Sequence, residues 1–210
     1  MKLKNVTILL FVLLLLDQAL KIWIKTHLCI DEAIMVVPDW FQLRFIENNG
    51  AAFGMQIASS GGFDWGKLAL SLFRVVMIGL LGYYIVFLNR RKQGTPKGVI
   101  IGLAMILAGA IGNLIDSMFY GMIFTASTPA TVATFGEGYS TFMMGKVVDM
   151  FYFPLIETTF PDWLPIWGGQ EFIFFRPIFN LADSAICVGV FSLLLFYRHT
   201  LSKSLSNEEK

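Results

Sequence analysis

The chain has 210 residues, 56% hydrophobic and only 15% charged, with a net charge of +1. Soluble domains run nearer roughly 45–50% apolar and ~25% charged, so this balance, with a mean hydropathy of +0.66, excludes an ordinary soluble domain and indicates a membrane class. The near-neutral charge leaves no electrostatic footprint for a nucleic-acid partner, and Cys29 and Cys187 form no metal or redox motif.

A spanning helix needs about 20 mostly apolar residues, and four stretches supply them: 6–24, 66–88, 98–120 and 180–197. Lys2 and Lys4 ahead of the first stretch resemble the start of a signal peptide. Asp17 and Lys21 interrupt the end of that run and no A-x-A-like site follows, so it is expected to remain as a span. After it, 35–55 alternates in part, with Phe41, Leu43 and Phe45 on one side and Gln42 and Arg44 on the other. That is a strand signal, ended by the turn residues Asn48-Asn49-Gly50. Between the second and third stretches, 89–97 holds Arg90, Arg91, Lys92 and Lys97 and no acid. Together with Lys2, Lys4, Arg198 and Lys203, this puts both termini and that loop in the cytoplasm, and 25–65 and 121–179 on the outer side.

Within the second outer segment, 125–145 is rich in Thr, Ser, Gly and Ala and reads as a mobile loop, while 146–153 reads as a second short strand. Pro154, Pro161, Pro165 and Pro177 exclude a continuous helix over 154–177. It reads as an aromatic loop at the membrane interface, where Trp40, Trp163 and Trp167 suit a belt. Cys187 lies in the fourth apolar run and reads as a small core residue without a disulfide to Cys29. The expected fold is membrane all-α: one domain, 1–210, of four transmembrane helices with a small β-sheet cradle and loops on the outer side.

Ionisable groups inside spans are costly and usually functional. At about 1.5 Å per helical residue, Asp17 lies about 17 Å along the first span and Lys21 about 23 Å, with Asn113 about 22 Å and Asp116 about 27 Å along the third. Asn180 and Asp183 begin the fourth span from outside, and Asp149 precedes the outer aromatic loop. Polar groups from three spans and one outer segment thus meet at one depth, in the outer half. Each has a plainer reading as well. Asp17 and Lys21, at i and i+4, neutralise each other or orient a site. Asn180 and Asp183 are spaced as a helix cap. Asn113 and Asp116 satisfy backbone groups between helices. Asp149, flanked by Val148 and Met150, is either an exposed loop acid or a buried functional one.

Two adjacent carboxylates cannot easily both ionise; they share a proton, so one can accept a proton from water while the other polarises a carbonyl. This chemistry needs no metal or cofactor. The sequence has no H-E-x-x-H and no G-x-S-x-G, and the topology separates His27 from His199. Gly109 and Gly112 form a Gly-x-x-Gly packing signal. Outer carboxylates could instead serve a small transporter or proton relay, though a transporter should carry polar groups through both leaflets and often an internal repeat. A non-catalytic assembly or lipid-binding role is the third reading.

Five stretches in order resemble the lipoprotein signal peptidases, or signal peptidase II: Asp17-Gln18-Ala19-Leu20-Lys21, Asn48-Asn49-Gly50-Ala51-Ala52-Phe53-Gly54, Gly109-Ala110-Ile111-Gly112-Asn113-Leu114-Ile115-Asp116, Val147-Val148-Asp149-Met150 and Phe179-Asn180-Leu181-Ala182-Asp183-Ser184. The resemblance implies an aspartic endopeptidase of the bacterial inner membrane, with its sheet and site at the periplasmic face. It would cleave prolipoproteins before the diacylglyceryl-cysteine. By the same resemblance Asp149 and Asp183 are the catalytic pair, and Asn113 and Asn180 support them. Asp17, Lys21, Asn48, Gly50, Ala51, Asp116 and Ala182 line or shape the site. Membrane lipids and inhibitors of the globomycin type are the other implied partners, with no cofactor. One departure stands out: the family usually has arginine where Ser117 follows Asp116, and Arg44, Lys146 and Arg176 are candidates to replace it.

Overall fold

The apolar runs become helices bounded by polar residues. The computed structural model describes residues 3–38, 40–49, 59–60, 63–90, 95–154, 156–159, 161, 163, 165, 169, 171–174 and 177–198. Helix α1 is Leu3–His27, and two strands follow, β1 (Ala33–Val37) and β2 (Phe41–Asn48). A two-residue pair, β3 (Ser59–Ser60) and β4 (Phe63–Asp64), leads into α2 (Trp65–Arg90), whose first turn is capped where Lys67 N donates to Asp64 Oδ1 at 2.9 Å. Helix α3 (Lys97–Ile115) runs without interruption into a π-helical turn, Asp116–Tyr120, and a last α turn, α4 (Gly121–Ile123). Strands β5 (Val147–Tyr152), β6 (Ile156–Thr159), β7 (Glu171–Phe174) and β8 (Ile178–Phe179) precede α5 (Leu181–Phe196).

Helices α1, α2 and the segment Lys97–Ile123 are long and apolar enough to cross a membrane, and α5 is an apolar helix of 16 residues. At about 24 Å it is shorter than the span expected over 180–197, because Asn180 caps it rather than joining it. Helix α3 is the centre of the bundle, packing on α5, α1 and α2. Glycines set its distance from α5: a Cβ at Gly109 would lie 2.2 Å from the Ala182 carbonyl oxygen, and one at Gly189 would lie 2.6 Å from that of Gly102. The Gly-x-x-Gly signal is thus a helix-crossing surface.

The sheet is antiparallel in the order β1-β2-β5-β8, with Ile46 opposite Asp149 and Asn48 opposite Val147. Both expected strands are present, as β2 and β5. Strands β1 and β8 were not anticipated: Ala33–Val37 is apolar without alternation and exposed on both faces, and β8 has only two residues. Two outer readings are corrected. Residues 154–177 contain the hairpin β6–β7, with Pro154, Pro161, Pro165 and Pro177 all outside the strands, so the prolines exclude helix without excluding pairing. Residues 125–145 have no long regular element, yet they are tied down rather than a free loop. Thr125 N donates to Thr134 O, Tyr139 N to Phe124 O and Gly145 N to Ser117 O, at 2.8–3.1 Å. Cys29 and Cys187 are free thiols, and Cys187 is exposed on α5 rather than a core residue, because α5 turns that face outward. Trp40 and Trp163 are exposed, and Trp167 lies outside the described residues.

Two apolar clusters form. One joins the helices at one end of the bundle through Val6, Ile85, Leu88, Val99, Leu103, Leu107 and Leu193. The other fastens the sheet to the opposite helix ends through Ile24, Leu28, Phe45, Tyr120, Phe124, Val148 and Met150. The polar residues singled out above lie between them.

Candidate active site

Asparagines hold the two aspartates together. Asn180 precedes α5 in extended conformation, and its Oδ1 accepts from Asp183 N at 2.9 Å while Asp183 Oδ2 accepts from Asn180 N at 3.3 Å, a complete capping box. The same Asn180 side chain donates through Nδ2 to Asp149 Oδ1 at 2.8 Å, to Asn113 Oδ1 at 3.1 Å and to Val148 O at 3.2 Å. Asn113 Nδ2 in turn donates to Asp183 Oδ1 at 2.7 Å. Asn180, Asn113 and Asp183 therefore form a closed hydrogen-bonded ring, to which Asp149 is joined through Asn180. The capping reading of Asn180–Asp183 holds, and the other amide atom of the same asparagine reaches Asp149.

A cation anchors the ring from α1. Lys21 is fully buried, and its Nζ meets Asp17 Oδ2 at 3.0 Å, Asp116 Oδ2 at 2.9 Å and Asn113 Oδ1 at 2.9 Å. All three ammonium donors are used. Asp17 Oδ1 also accepts from Ala182 N at 2.9 Å, which fixes the start of α5. Asp116 Oδ2 accepts from Val148 N at 3.3 Å, next to Asp149 in β5. Gln18 completes the layer, donating to Asp116 Oδ1 at 3.0 Å and accepting from Tyr120 Oη at 3.1 Å. Asp17, Lys21, Asn113 and Asp116 thus position the strand and helix that carry Asp149 and Asp183.

Asp149 is 3% exposed, on a strand outside the spanning helices. Burial, and then the neighbouring Asp183 carboxylate, push its pKa up to about 8; Lys21 and the Asn180 hydrogen bond act against this. Asp183 is half-buried at the first turn of α5. Burial thus disposes Asp149 to hold a proton at neutral pH beside a second carboxyl group. Among the described residues, no group of three or more His, Cys, Asp or Glu side chains is arranged to hold a metal ion.

Asn48 lies against Asp149 and hydrogen-bonds to its Oδ2. A neighbouring cluster fixes the strand it ends. Buried Lys25 pairs with Glu47 and donates to Ser127 Oγ at 2.9 Å, under the rings of Tyr139, Phe124 and Phe45. Gly50 and Ala51 lie outside the described residues. Every other expected site residue lies in the ring, in the Lys21 cluster or beside them, and Ala182 packs where α5 crosses Gly109 and Gly112.

The sequence reading passed over Arg74. It lies nine residues into α2, and an ionisable group inside a span was the available signal. Its Nη1 donates to Ser117 Oγ at 3.3 Å. Of the three candidates for a cation at Ser117, Arg44 pairs with Asp31 at 3.0 Å and Lys146 with Glu47 at 3.6 Å, and Arg176 lies outside the described residues.

The family model for signal peptidase (SPase) II matches residues 9–198. The lipoprotein signal peptidase of Porphyromonas gingivalis is 47% identical over 208 residues, covering 98% of this chain and 88% of its own. That of Amoebophilus asiaticus is 34% identical over 92% of this chain and 78% of its own, and that of Pseudomonas aeruginosa 33% over 90% and 83%. Among solved structures, one described as a bacterial membrane enzyme determined by the in meso method at 2.3 Å resolution superposes with a TM-score of 0.59 at 21% identity. It covers 98% of this chain and 92% of that one, and it shares the fold.

Proposed function

Because the chain belongs to the signal peptidase II family, we propose that it removes signal peptides from lipid-modified prolipoproteins as an aspartic endopeptidase, cutting before the diacylglyceryl-cysteine with Asp149 and Asp183 as the catalytic pair. The observation that carries the mechanism is the hydrogen bonding through which Asn180 and Asn113 join a buried, proton-holding Asp149 to Asp183. In the first step the Asp183 carboxylate takes a proton from water as its oxygen bonds to the scissile carbonyl carbon, and Asp149 gives its proton to the carbonyl oxygen. The tetrahedral intermediate then collapses. Asp183 returns its proton to the nitrogen of the modified cysteine, the C–N bond breaks, and Asp149 recovers a proton from a hydroxyl of the intermediate as its C=O bond re-forms. Water is consumed, a carboxyl end and a free amine are released, and the pair is restored.

The protein is an integral membrane protein with spanning helices. Charge asymmetry supports an inner-membrane orientation with both termini cytoplasmic and the pair near the outer face. A lipid-anchored peptide moving within the bilayer presents its cleavage point at that depth, and Met and Phe side chains suit its acyl chains. Globomycin-type inhibition follows on the same reading if such a cyclic peptide occupies the pair. The test is incubation of purified protein with a diacylated precursor peptide and mass spectrometry of both products. A new amine on the lipidated cysteine is expected; cleavage elsewhere, or none, refutes the proposal.

A further inference from the structure

Helix α2 presents lipid-exposed apolar side chains over most of its surface, including Phe73, Val76, Leu80 and Tyr83. Its inward stripe is different: Lys67, Ser71 and Arg74 follow one another at helical spacing before Ile78 and Leu81 continue it as apolar. The upper part of this stripe is built into the fold. Lys67 Nζ donates to Asn49 Oδ1 at 3.2 Å, next to the Asn48 that meets Asp149. Ser71 Oγ donates to Met143 O at 3.3 Å, and Gly145 N to Ser117 O at 2.8 Å, so the approach to β5 is held between α2 and α3.

Arg74 comes next on the stripe. Ser117, which receives its Nη1, donates at 3.1 Å to the main-chain carbonyl of Asn113, the residue that binds Asp183. The Asp183, Asp116 and Asp149 carboxylates all act electrostatically on the guanidinium. Lys21, a second cation of this layer, is fully enclosed, whereas Arg74 is half-buried, as Asp183 is. A guanidinium in a lipid-facing helix is costly unless it has a use. Its planar fork suits oxygen acceptors better than a point charge does.

We propose that Arg74, held on Ser117, is a substrate-positioning residue: its guanidinium binds a carbonyl oxygen of the peptide or glycerol ester beside the scissile bond, so that the bond is presented to Asp183. This rests on the reading of the site as a prolipoprotein peptidase. The test is steady-state cleavage of a diacylated precursor peptide by Arg74→Gln, Arg74→Lys, and Arg74→Gln combined with Ser117→Arg, which offers the guanidinium from α3 instead. For Arg74→Gln, KM is expected to rise about tenfold or more from loss of a charge-assisted hydrogen bond, with an unchanged melting temperature. The lysine variant should recover part of this, and the relocated arginine more.

An unchanged KM in folded Arg74→Gln overturns the proposal. So does a loss confined to kcat with a displaced pH profile, which would mean that the cation acts on the charges of Asp17, Lys21, Asp116, Asp149 and Asp183 rather than on substrate. If Ser117→Arg prevents folding, the KM of the glutamine and lysine variants decides alone. Asp149→Asn in parallel separates the two readings: full activity there refutes the peptidase mechanism whatever Arg74 does.

Discussion

Substitution of Asn180 separates its two jobs. Its Oδ1 caps α5 and its Nδ2 supports Asp149 and Asn113. Serine is as good a cap as asparagine, whereas alanine costs about 1 kcal/mol at such a position. Serine, however, lacks the amide that reaches Asp149 2.8 Å away. Once Asp149 has given up its proton in the proposed mechanism, a hydrogen bond to the resulting carboxylate contributes about 1.5–3 kcal/mol, which corresponds to roughly 10- to 150-fold in rate if it is needed in the transition state. Asn180→Ser should therefore keep most of the melting temperature in detergent while its kcat/KM for a fluorogenic lipopeptide falls by that factor. Asn180→Ala should lose both. Asn180→Ser cleaving within twofold of the parent would refute the ring as a working part of the site. So would a stability loss equal to that of alanine, which would make folding the cause.

Lys21→Met removes the cation that bridges buried Asp17 and Asp116; such a loss costs about 3–5 kcal/mol, and thermal unfolding should show it as a large fall in melting temperature. Gly109→Ala would set a Cβ 2.2 Å from Ala182 O, so about 1–3 kcal/mol of overpacking is expected at the residue before Asp183, with lowered activity. Gly79→Ala on α2, with nothing within 4 Å, should leave both unchanged. The native state binds the Asp149 proton more tightly than the unfolded chain does. Its contribution to stability therefore declines as pH rises from about 4 to 8, and activity should decline above about pH 8 as that proton is lost; a pH–rate profile still rising there would contradict the assignment.

The spans were legible because hydropathy is a property of long windows, and the depth of the polar layer followed from helix rise alone. Alternation marked β2, and a short apolar run marked β5. What escaped was structure made by pairing rather than by local pattern: β1 has five apolar residues without period, and β6–β7 lies within a segment whose prolines speak only against helix. The π-helical turn at Asp116–Tyr120 reads in sequence as ordinary helix. In the site, Asp17, Lys21, Asn113, Asp116, Asn180 and Asp183 shared a depth that sequence could place. Their wiring, above all the two faces of Asn180, depends on how α3 and α5 cross. Singling out Asp149 and Asp183 depended on motif resemblance. Arg74 was visible as a charge in a span, but its inward direction was not, since most residues around it face lipid.

The most direct test of the account is cleavage of a diacylated precursor peptide by Asp149→Asn, Asp183→Asn and the double variant, each first shown to be folded. Each single substitution should lower kcat by at least about 10²–10⁴-fold, and the double should be little worse than either alone, because the pair acts as a unit. Full activity in either folded single variant would contradict a mechanism built on these two carboxylates.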